Sequence, residues 1–551
     1  MPKGVDKERF EKFKKYYDPD IFREAGKRIR EMARAADKFT IEERIERISA
    51  IFNTFRNPDK ETVLTPWRVV NMHMSDCLGG WCFYDEAFKQ PLSIPRYVDQ
   101  GKVTHDVFRP EAHVLEINSK SGLYPLYVAY NIYRARVEAM KQKYGEIGHA
   151  FAQSLWDATI EENILVVCKT PMAKSITKRT LAGFRNIRVN AQYYKDLIQN
   201  ISERPDAVVN TFRDGKHFWK INDNTNMKFD AIVGNPPYQL QTTDKGGQAT
   251  PLYNLFFEMS KRLKPHYISM IMPSKFFAGG MGLNKFRNDF INDKSISKVV
   301  DYVNSKDCFP NISIGGGVCY VLRENGREGL CKFITTKNGV TSVQERMLNE
   351  FDVLVRYNEA IPIIHKINAV KESRLTDIIS PLMPFGLSTN FRGENTQSAM
   401  NDIKVLASDG ISYTSIDKVV SGHDYIPKYK VFMSKTSAEH AGEPDKEGKY
   451  RVFTSSLQIA QPQMICTHSY FVIGCYDNET EAQNLLLYLK SKFVRFLVLM
   501  SLSAINLSKL VFCFVPLQDF TRPWTDADLY AKYHLTDEEI QFIESMIKPM
   551  E

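Results

Sequence analysis

The spacing of apolar positions changes character along the chain. Near the start, Ile21, Phe22, Ala25, Ile29, Met32, Ala33 and Ala36 recur at helical spacing, with Lys27, Arg28, Arg30 and Arg34 between them. This predicts an amphipathic helix packed by one face, with its basic side toward solvent. A second helix is expected from Ile41 to Phe55, broken by Asn57-Pro58-Asp59. From about Glu61 to Glu324, short apolar runs alternate with longer helical stretches. Strands are expected at Val114–Ile117, Asn163–Val167, Phe229–Gly234, Ile268–Met272, Ser297–Val303 and Gly317–Leu322, and a long helix at Tyr124–Tyr144. Such alternation predicts an α/β fold with a mostly parallel, doubly wound sheet. Beyond Asn325, Lys332 to Glu359 reads as a connector with some helix. From Leu375 the pattern is β-rich, with turn signals at Gly386, Arg392-Gly393, Asp409-Gly410 and Gly442-Glu443-Pro444. Leu485 to Leu502 reads as one buried helix. Thr525, after Arg522-Pro523-Trp524, is expected to cap a closing pair of helices that ends near Met546. The expected organisation is a helical segment over 1–60, an α/β domain over 61–330, a connector over 331–374, and an α+β domain with C-terminal helices over 375–551.

Composition adds little to this picture except through charge. The 551 residues are 43% hydrophobic and 25% charged, ordinary for a globular protein of several domains. A net charge of +8 suits a polyanionic partner. The nine cysteines are scattered without a Cys-x-x-Cys pair and read as reduced thiols. The eleven histidines show no zinc spacing, so no metal is expected. No signal peptide precedes the lysine-rich start. The apolar stretch from Asn484 to Leu507 is interrupted by Lys490, Lys492 and Arg495, which makes it a core segment and not a membrane span. A cytoplasmic protein is expected.

The candidate chemistry centres on Asn235-Pro236-Pro237-Tyr238, at the carboxyl end of an expected buried strand. An exocyclic amine on a base is a poor nucleophile, because its lone pair is delocalised into the ring. Two fixed acceptors facing its N–H bonds, the Asn235 side-chain oxygen and the Pro236 carbonyl, would draw the nitrogen toward tetrahedral geometry. Pro236 and Pro237 stiffen the turn, and Tyr238 offers a flat face for stacking. The plainer reading is a proline turn with a helix-capping Asn. Upstream, Thr65-Pro66 opens an expected helix with Thr65 as N-cap. Glu116 stands near the end of the expected Val114–Ile117 strand, which is followed by Asn118-Ser119-Lys120-Ser121-Gly122, the order of a ligand-binding βα turn. Asp230 is expected to be structural. Farther on, Lys428, Lys430, Lys435, Lys446, Lys449 and Arg451 interleave with Tyr425, Tyr429, Phe432, Tyr450 and Phe453, a mixture that suits phosphate and base contacts or a solvated β-meander.

These motifs, in this order, resemble the gamma-class DNA adenine-N6 methyltransferases, and most of all the Eco57I-type restriction-modification methylases. The resemblance covers roughly residues 20 to 330. It implies a Rossmann-like class I methyltransferase domain with a terminal β-hairpin, and S-adenosyl-L-methionine as methyl donor. It places Thr65, Pro66, Glu116, Asn118 and Gly122 around the cofactor, with Asp196 near the cofactor adenine. It sets Phe309 opposite Tyr238, so that the two rings sandwich a flipped-out adenine of double-stranded DNA. The 375–551 region becomes a target-recognition domain, and a nuclease or helicase partner is implied. Two positions depart from the family pattern. Lys120 stands where the loop's first glycine belongs, and Cys168-Lys169-Thr170-Pro171 stands where an acid for the ribose hydroxyls belongs. They keep open a second reading, a DNA-binding specificity subunit without turnover. Methylation of RNA or protein glutamine fits less well, given the large region after the sheet. No P-loop is present, and Pro444-Asp445 followed by Glu447-Gly448-Lys449 reads as a surface turn, its acids too close for a nuclease motif.

Overall fold

In the computed structural model, the described residues are 11, 18–55, 64–221, 223–240, 250–278, 282–438, 444–502 and 506–550. The expected breaker Asn57-Pro58-Asp59, most of the first seventeen residues, and Gly442-Glu443 of one expected turn lie outside them. The chain forms two compact units. One draws on residues up to 272, 293–299 and 319–331, and the other on 273–292, 300–318 and 332–551.

The first unit is α/β. Strands β1 (Gly80–Tyr84) and β2 (Pro91–Val98) pair as an antiparallel hairpin. Strands β3 (Val114–Ile117), β4 (Ile164–Cys168), β5 (Asn190–Tyr193) and β6 (Ala231–Gly234) follow. After the short pair β7 (Gln239–Leu240) and β8 (Thr250–Pro251) come β9 (Tyr267–Pro273), β10 (Ile296–Tyr302) and β11 (Val318–Glu324). The strands neighbour one another in the order β10-β11-β9-β6-β3-β4-β5. Pairing is parallel between β3 and β4, β4 and β5, β3 and β6, and β6 and β9. Strands β3, β4, β6 and β9 are buried along their whole length, which explains why they read as unbroken apolar runs. From β3 the chain moves outward to β4 and β5, then returns to lay β6 on the other side of β3. Strand order therefore reverses between β3 and β6, the place where open α/β sheets leave a crevice beyond their carboxyl ends.

The Leu123–Tyr144 helix follows β3 and the Pro171–Ala182 helix follows β4. Asp230, at the amino end of β6, accepts from Arg109 (2.6 Å) and the His113 amide (2.8 Å), the structural role expected of it. The expected N-terminal helices span Pro19–Ala36 and Ile41–Asn53, the second opened by a Thr40/Glu43 capping box. Arg44, almost fully buried, donates to Asp37 and to the carbonyls of Thr180 and Arg179, tying this pair to the Pro171–Ala182 helix. The first helix packs less than its periodicity predicts. Ile29, Ala33 and Ala36 meet Ile48 and Ile51, while Phe22 remains 71% exposed.

The second unit contains β12 (Cys331–Lys337, its first residue in the other unit) and β13 (Val340–Arg346), where the sequence suggested a connector. The missed signal is Asn338-Gly339, both at positive φ (50° and 78°), a two-residue hairpin turn between alternating strands. The β-rich region expected from Leu375 comprises two three-stranded sheets. β14 (Ile403–Ala407) pairs with β15 (Gly410–Thr414) and with β18 (Met464–Cys466). β16 (Tyr429–Ser434) pairs with β17 (Gln458–Ala460) and with β19 (Tyr470–Tyr476).

The expected single helix from Leu485 to Leu502 is two helices, Glu479–Lys490 and Lys492–Met500. Ser491 breaks them with an extended ψ of 149°, and its hydroxyl accepts from the Val494 amide (3.2 Å). The Asp526 carboxylate receives the amides of Lys492 (3.1 Å) and Phe493 (2.9 Å). Ser491→Ala is expected to cost about 1 kcal/mol, read as a shift in the urea midpoint. Thr525 caps the Asp526–Lys532 helix as expected, through a capping box with Asp528, and the last helix ends at Met546. Among the described residues no helix is long and apolar enough to cross a membrane, no group of side chains is arranged to hold a metal, and all nine cysteines are free.

Candidate functional site at the carboxyl ends of β3 and β6

β6 ends at Gly234, whose φ of +143° excludes most side chains. A Cβ at Gly234 would stand 3.2 Å from Cγ of Glu116, so the Glu116 side chain lies directly against the backbone that starts the Asn235 turn. Asn235, Pro236, Pro237 and Tyr238 are all buried. The Asn235 amide nitrogen donates to the Thr65 hydroxyl (2.9 Å). Thr65 is therefore not the N-cap expected from sequence. The Trp67–Cys77 helix is capped by Pro66 without a side-chain bond, and the Thr65 hydroxyl is spent on Asn235 instead. The Pro66 carbonyl accepts the Val70 amide (3.0 Å).

Three buried polar atoms at these strand ends have no hydrogen-bond partner among the described residues: Asn235 Oδ1, Glu116 Oε2 and Asn118 Nδ2. Each such atom costs about 1–3 kcal/mol, so a cluster of them needs a reason. Burial pushes the Glu116 carboxyl up to about 7, against the opposing pull of the Ser119 hydroxyl and the Lys120 charge. Asn118 stands at φ 75°, its amide donating to the Val167 carbonyl (2.8 Å), which holds the βα turn against β4. The Ser119 hydroxyl accepts the Gly122 amide (3.2 Å) and meets Thr177 Oγ1 (3.2 Å). Gly122 is left-handed, and a Cβ there would meet Thr177 and Thr180 at 3.1–3.2 Å. Its glycine character thus serves the close approach of the Pro171–Ala182 helix.

Asp196 lies three residues beyond β5, exposed and left-handed (φ 51°), where it opens the Leu197–Glu203 helix without a side-chain cap bond. Lys169 is exposed immediately after β4, and Thr170 caps the next helix (3.1 Å to the Ala173 amide), so no acid ends β4. Phe309 belongs to the second unit and is 1% exposed. Its amide donates to the Ser305 carbonyl (2.7 Å). The preceding segment is braced by a buried pair in which Arg356 donates twice to Asp301 (2.8 and 2.9 Å) and once to the Gly316 carbonyl (3.1 Å).

Sequence reasoning missed two residues of the first unit. Gly234 is one. The other is His73, fully buried, with Nδ1 2.9 Å from the Tyr124 hydroxyl and Nε2 2.8 Å from the Ser269 hydroxyl, and Tyr320 stacked on the ring at 4.9 Å. Burial pushes it down to about 3, so it is neutral. It joins the helix after Thr65-Pro66 to the helix after Gly122 and to β9. A lone histidine in an apolar helix carries no sequence signal for this.

The basic and aromatic tract of the second unit is less available than its sequence suggests. Lys430 is fully buried and donates to the carbonyls of Lys428 (2.8 Å) and Gln461 (3.3 Å), with burial pushing it down to about 8. Phe432, Tyr450 and Phe453 are core residues, and Tyr450 bonds the Tyr357 hydroxyl (2.6 Å). Lys428 pairs with Asp477. β16 is buried on both faces from Lys430 to Met433, which takes Lys430 and Phe432 out of reach of solvent. The Asp445 segment is a turn, as expected, its carboxylate accepting the amides of Glu447 and Lys449 (both 2.9 Å).

Comparison with known proteins bears on this geometry. The family model of the Eco57I restriction-modification methylase matches residues 162–309, a span that holds β4 to β6, the Asn235 turn and Phe309. An uncharacterized adenine-specific methylase of Mycoplasma pneumoniae is 38% identical over 107 residues, 19% of this chain and 25% of that protein. The chain thus spans about a quarter of the length of this curated relative. Among solved structures, a nuclease-deletion mutant of the type ISP restriction-modification enzyme LlaGI, in complex with a DNA substrate mimic, has a TM-score of 0.45 at 9% identity, covering 84% of this chain and 47% of its own. The type IIL restriction-modification enzyme MmeI, in complex with DNA, has a TM-score of 0.43 at 9% identity, covering 73% and 62%. The type IIG restriction endonuclease BpuSI has a TM-score of 0.36 at 11% identity, covering 90% and 63%. Over residues 162–309, the chain is similar to the Eco57I restriction-modification methylase family.

Proposed function

We propose that the chain is a site-specific DNA methyltransferase that moves a methyl group from S-adenosyl-L-methionine to the N6 amino group of a flipped-out adenine, within a restriction-modification or defence system. The observation that carries this reading is the buried Asn235 Oδ1 at the end of β6, without a partner among the described residues, next to the strand end that carries Glu116 Oε2 and Asn118 Nδ2. The reversal of strand order between β3 and β6 supports a Rossmann-like class I domain, over 61–330, with the ligand crevice at this place.

The residues fit the cofactor. Glu116 Oε2 is a buried acceptor suited to an ammonium group, and Asn118 Nδ2 is a buried donor suited to a carboxylate, the two polar ends of a methionine moiety. Thr65, Pro66 and Gly122 would line that pocket and Asp196 would face the cofactor adenine. When bound, the sulfonium supplies an electrophilic methyl group. Asn235 Oδ1 and the Pro236 carbonyl accept the two N–H bonds of the target amine, which localises the nitrogen lone pair for attack. The proton lost after transfer passes to solvent, so no strong base is required. Tyr238 stacks on the extruded base. Extrusion costs a few kcal/mol, and stacking returns about 1–3 kcal/mol per contact. For Phe309 to close the sandwich, its loop must uncover a ring that is 1% exposed. Residues 375–551 would act as the target-recognition domain, joined through 331–374, beside a nuclease or helicase partner in the cytoplasm.

The test is transfer of labelled methyl from S-adenosyl-L-methionine to duplex DNA of mixed sequence, followed by digestion and identification of the nucleoside. Label in N6-methyladenine is expected, and cofactor binding without label in any base would overturn the reading. Lys169 at the end of β4, where an acid would hold ribose hydroxyls, favours one alternative, a specificity subunit that binds DNA without turnover. Calorimetry separates the two, since that alternative takes up no cofactor. Thr65→Val is expected to slow transfer about tenfold by releasing the Asn235 amide, and Thr65→Ser is expected to restore most of it, in single-turnover assays.

A further inference from the structure

Outside this site, the second unit carries a compact set of hydrogen-bond donors that, among the described residues, has no carboxylate partner. Lys435 follows β16 directly, and His468 lies in the turn before β19, where Ser434 and Tyr470 are paired. Their backbones are pinned nearby: the Lys435 amide donates to the Ser469 carbonyl (3.1 Å), and the His468 amide to the Leu387 carbonyl (2.9 Å). The Lys435 ammonium stands 3.3 Å from His468 Nδ1, and the Thr389 hydroxyl stands 3.5 Å from the same nitrogen. The loop holding Thr389 is shaped by Arg392, which donates to the carbonyls of Thr389 (2.9 Å) and Phe391 (2.6 Å) while pairing with Asp409 (2.6 Å). All three side chains are half-buried.

The chemistry of the cluster is one-sided. Because Nδ1 accepts from an ammonium, the imidazole is neutral and its proton sits on Nε2. Burial and the Lys435 charge both hold His468 below its ordinary range, in agreement with that assignment. The imidazole Nε2–H, two ammonium N–H groups and the threonine hydroxyl are then available as donors. Among the described residues no carboxylate pairs with Lys435, and the nearby acid Asp409 is paired with Arg392 instead. Three segments thus present donors for a singly charged anion with several acceptor oxygens.

We infer that Thr389, Lys435 and His468 form a phosphate-binding site that takes one phosphodiester of the DNA backbone. The inference rests on the DNA-methyltransferase reading and deepens it. A phosphodiester matches the single charge, and its two free oxygens can be shared by donors from three directions. Such a contact positions the duplex without reading its sequence.

The experiment measures affinity for duplex DNA of mixed sequence, by fluorescence anisotropy, between about 50 and 200 mM salt. The full chain is compared with Lys435→Gln, His468→Asn and Lys435→Arg. Loss of one phosphate contact should reduce the slope of log affinity against log salt by about 0.9 in Lys435→Gln. His468→Asn is expected to weaken binding with a smaller change of slope, and Lys435→Arg to retain the parental slope. An unchanged slope in Lys435→Gln overturns the site. A second arm titrates inorganic phosphate and follows the His468 ring by NMR. Phosphate binding with an unchanged duplex slope would overturn the backbone assignment and leave a site for free phosphate. A parent chain that binds phosphate but no duplex defeats the DNA reading alone, and one that binds neither defeats both. Thermal unfolding of each variant identifies any loss that comes from misfolding, and the charge-preserving Lys435→Arg then decides.

Discussion

Replacing Asn235 with alanine is expected to lower methyl transfer by about 10²–10³-fold while leaving duplex affinity within about twofold. The size is that of removing one preorganised polar group that acts on the reacting atoms. Asn235 Oδ1 is buried, has no partner among the described residues, and belongs to a turn stiffened by two prolines. It has paid its desolvation before any substrate arrives, so it loses nothing further on meeting the amine. The loss should fall on the rate constant and not on binding, because backbone phosphates and the 375–551 region would supply most of the affinity. Stability should move little. The substitution removes an unsatisfied acceptor, worth about 1–3 kcal/mol, and also the bond to Thr65, worth about 1 kcal/mol. Single-turnover kinetics with anisotropy on the same preparation would check both halves. Transfer within threefold of the parent would remove Asn235 from the mechanism.

Cofactor binding is expected to weaken as pH falls below about 7, by up to tenfold per pH unit. The cause is Glu116, whose carboxyl burial raises to about 7. A raised carboxyl pKa means that the ligand-free fold prefers the neutral acid. Its contribution to stability is complete below about 4.5, the unfolded value, and is lost as pH rises through about 7. An ammonium group placed at Oε2 reverses that preference, because it favours the carboxylate. Below pH 7, binding must therefore expel a proton, and affinity falls with acidity. Calorimetry in two buffers of different ionisation enthalpy would count the released protons, expected to approach one near pH 6. Glu116→Gln should abolish the release, reduce affinity, and render the ligand-free protein less sensitive to alkaline pH. Equal affinity for the cofactor at pH 6 and pH 8 would show that Glu116 does not meet a cation.

Much of this was legible in the chain because the relevant patterns are local. Buried parallel strands are continuous apolar runs, so β3, β4, β6 and β9 were found close to their observed limits. The carboxyl ends of two of them then marked Glu116 and Asn235. What was missed depends on contacts between distant segments or on turn geometry. Thr65 looked like a helix cap because its local sequence suits one, but its hydroxyl is claimed by a residue 170 positions away. His73 joins two helices and a strand that no spacing rule connects. The β12–β13 hairpin lies inside the segment that reads as a connector, and its mark is the Asn338-Gly339 turn between two alternating strands. Ser491 lies inside an apolar stretch that hides a helix break, because the residue that completes its capping, Asp526, comes much later. Lys430 and Tyr450 have the residue types of surface contacts, but burial here is set by tertiary packing that residue type does not carry: β16 is covered on both faces and Tyr450 lies in the core.

The contact between Glu116 and Gly234 sets the two halves of the crevice in a fixed relation. One missing methyl group lets the Glu116 side chain cross from β3 to the start of the Asn235 turn. Adding that methyl, as in Gly234→Ala, would set it 3.2 Å from Glu116 Cγ at a φ of +143°, so the Glu116 side chain or the start of the turn must give way. On the proposed function, donor choice and nucleobase choice would be a joint property of two adjacent β-strands, altered as a pair.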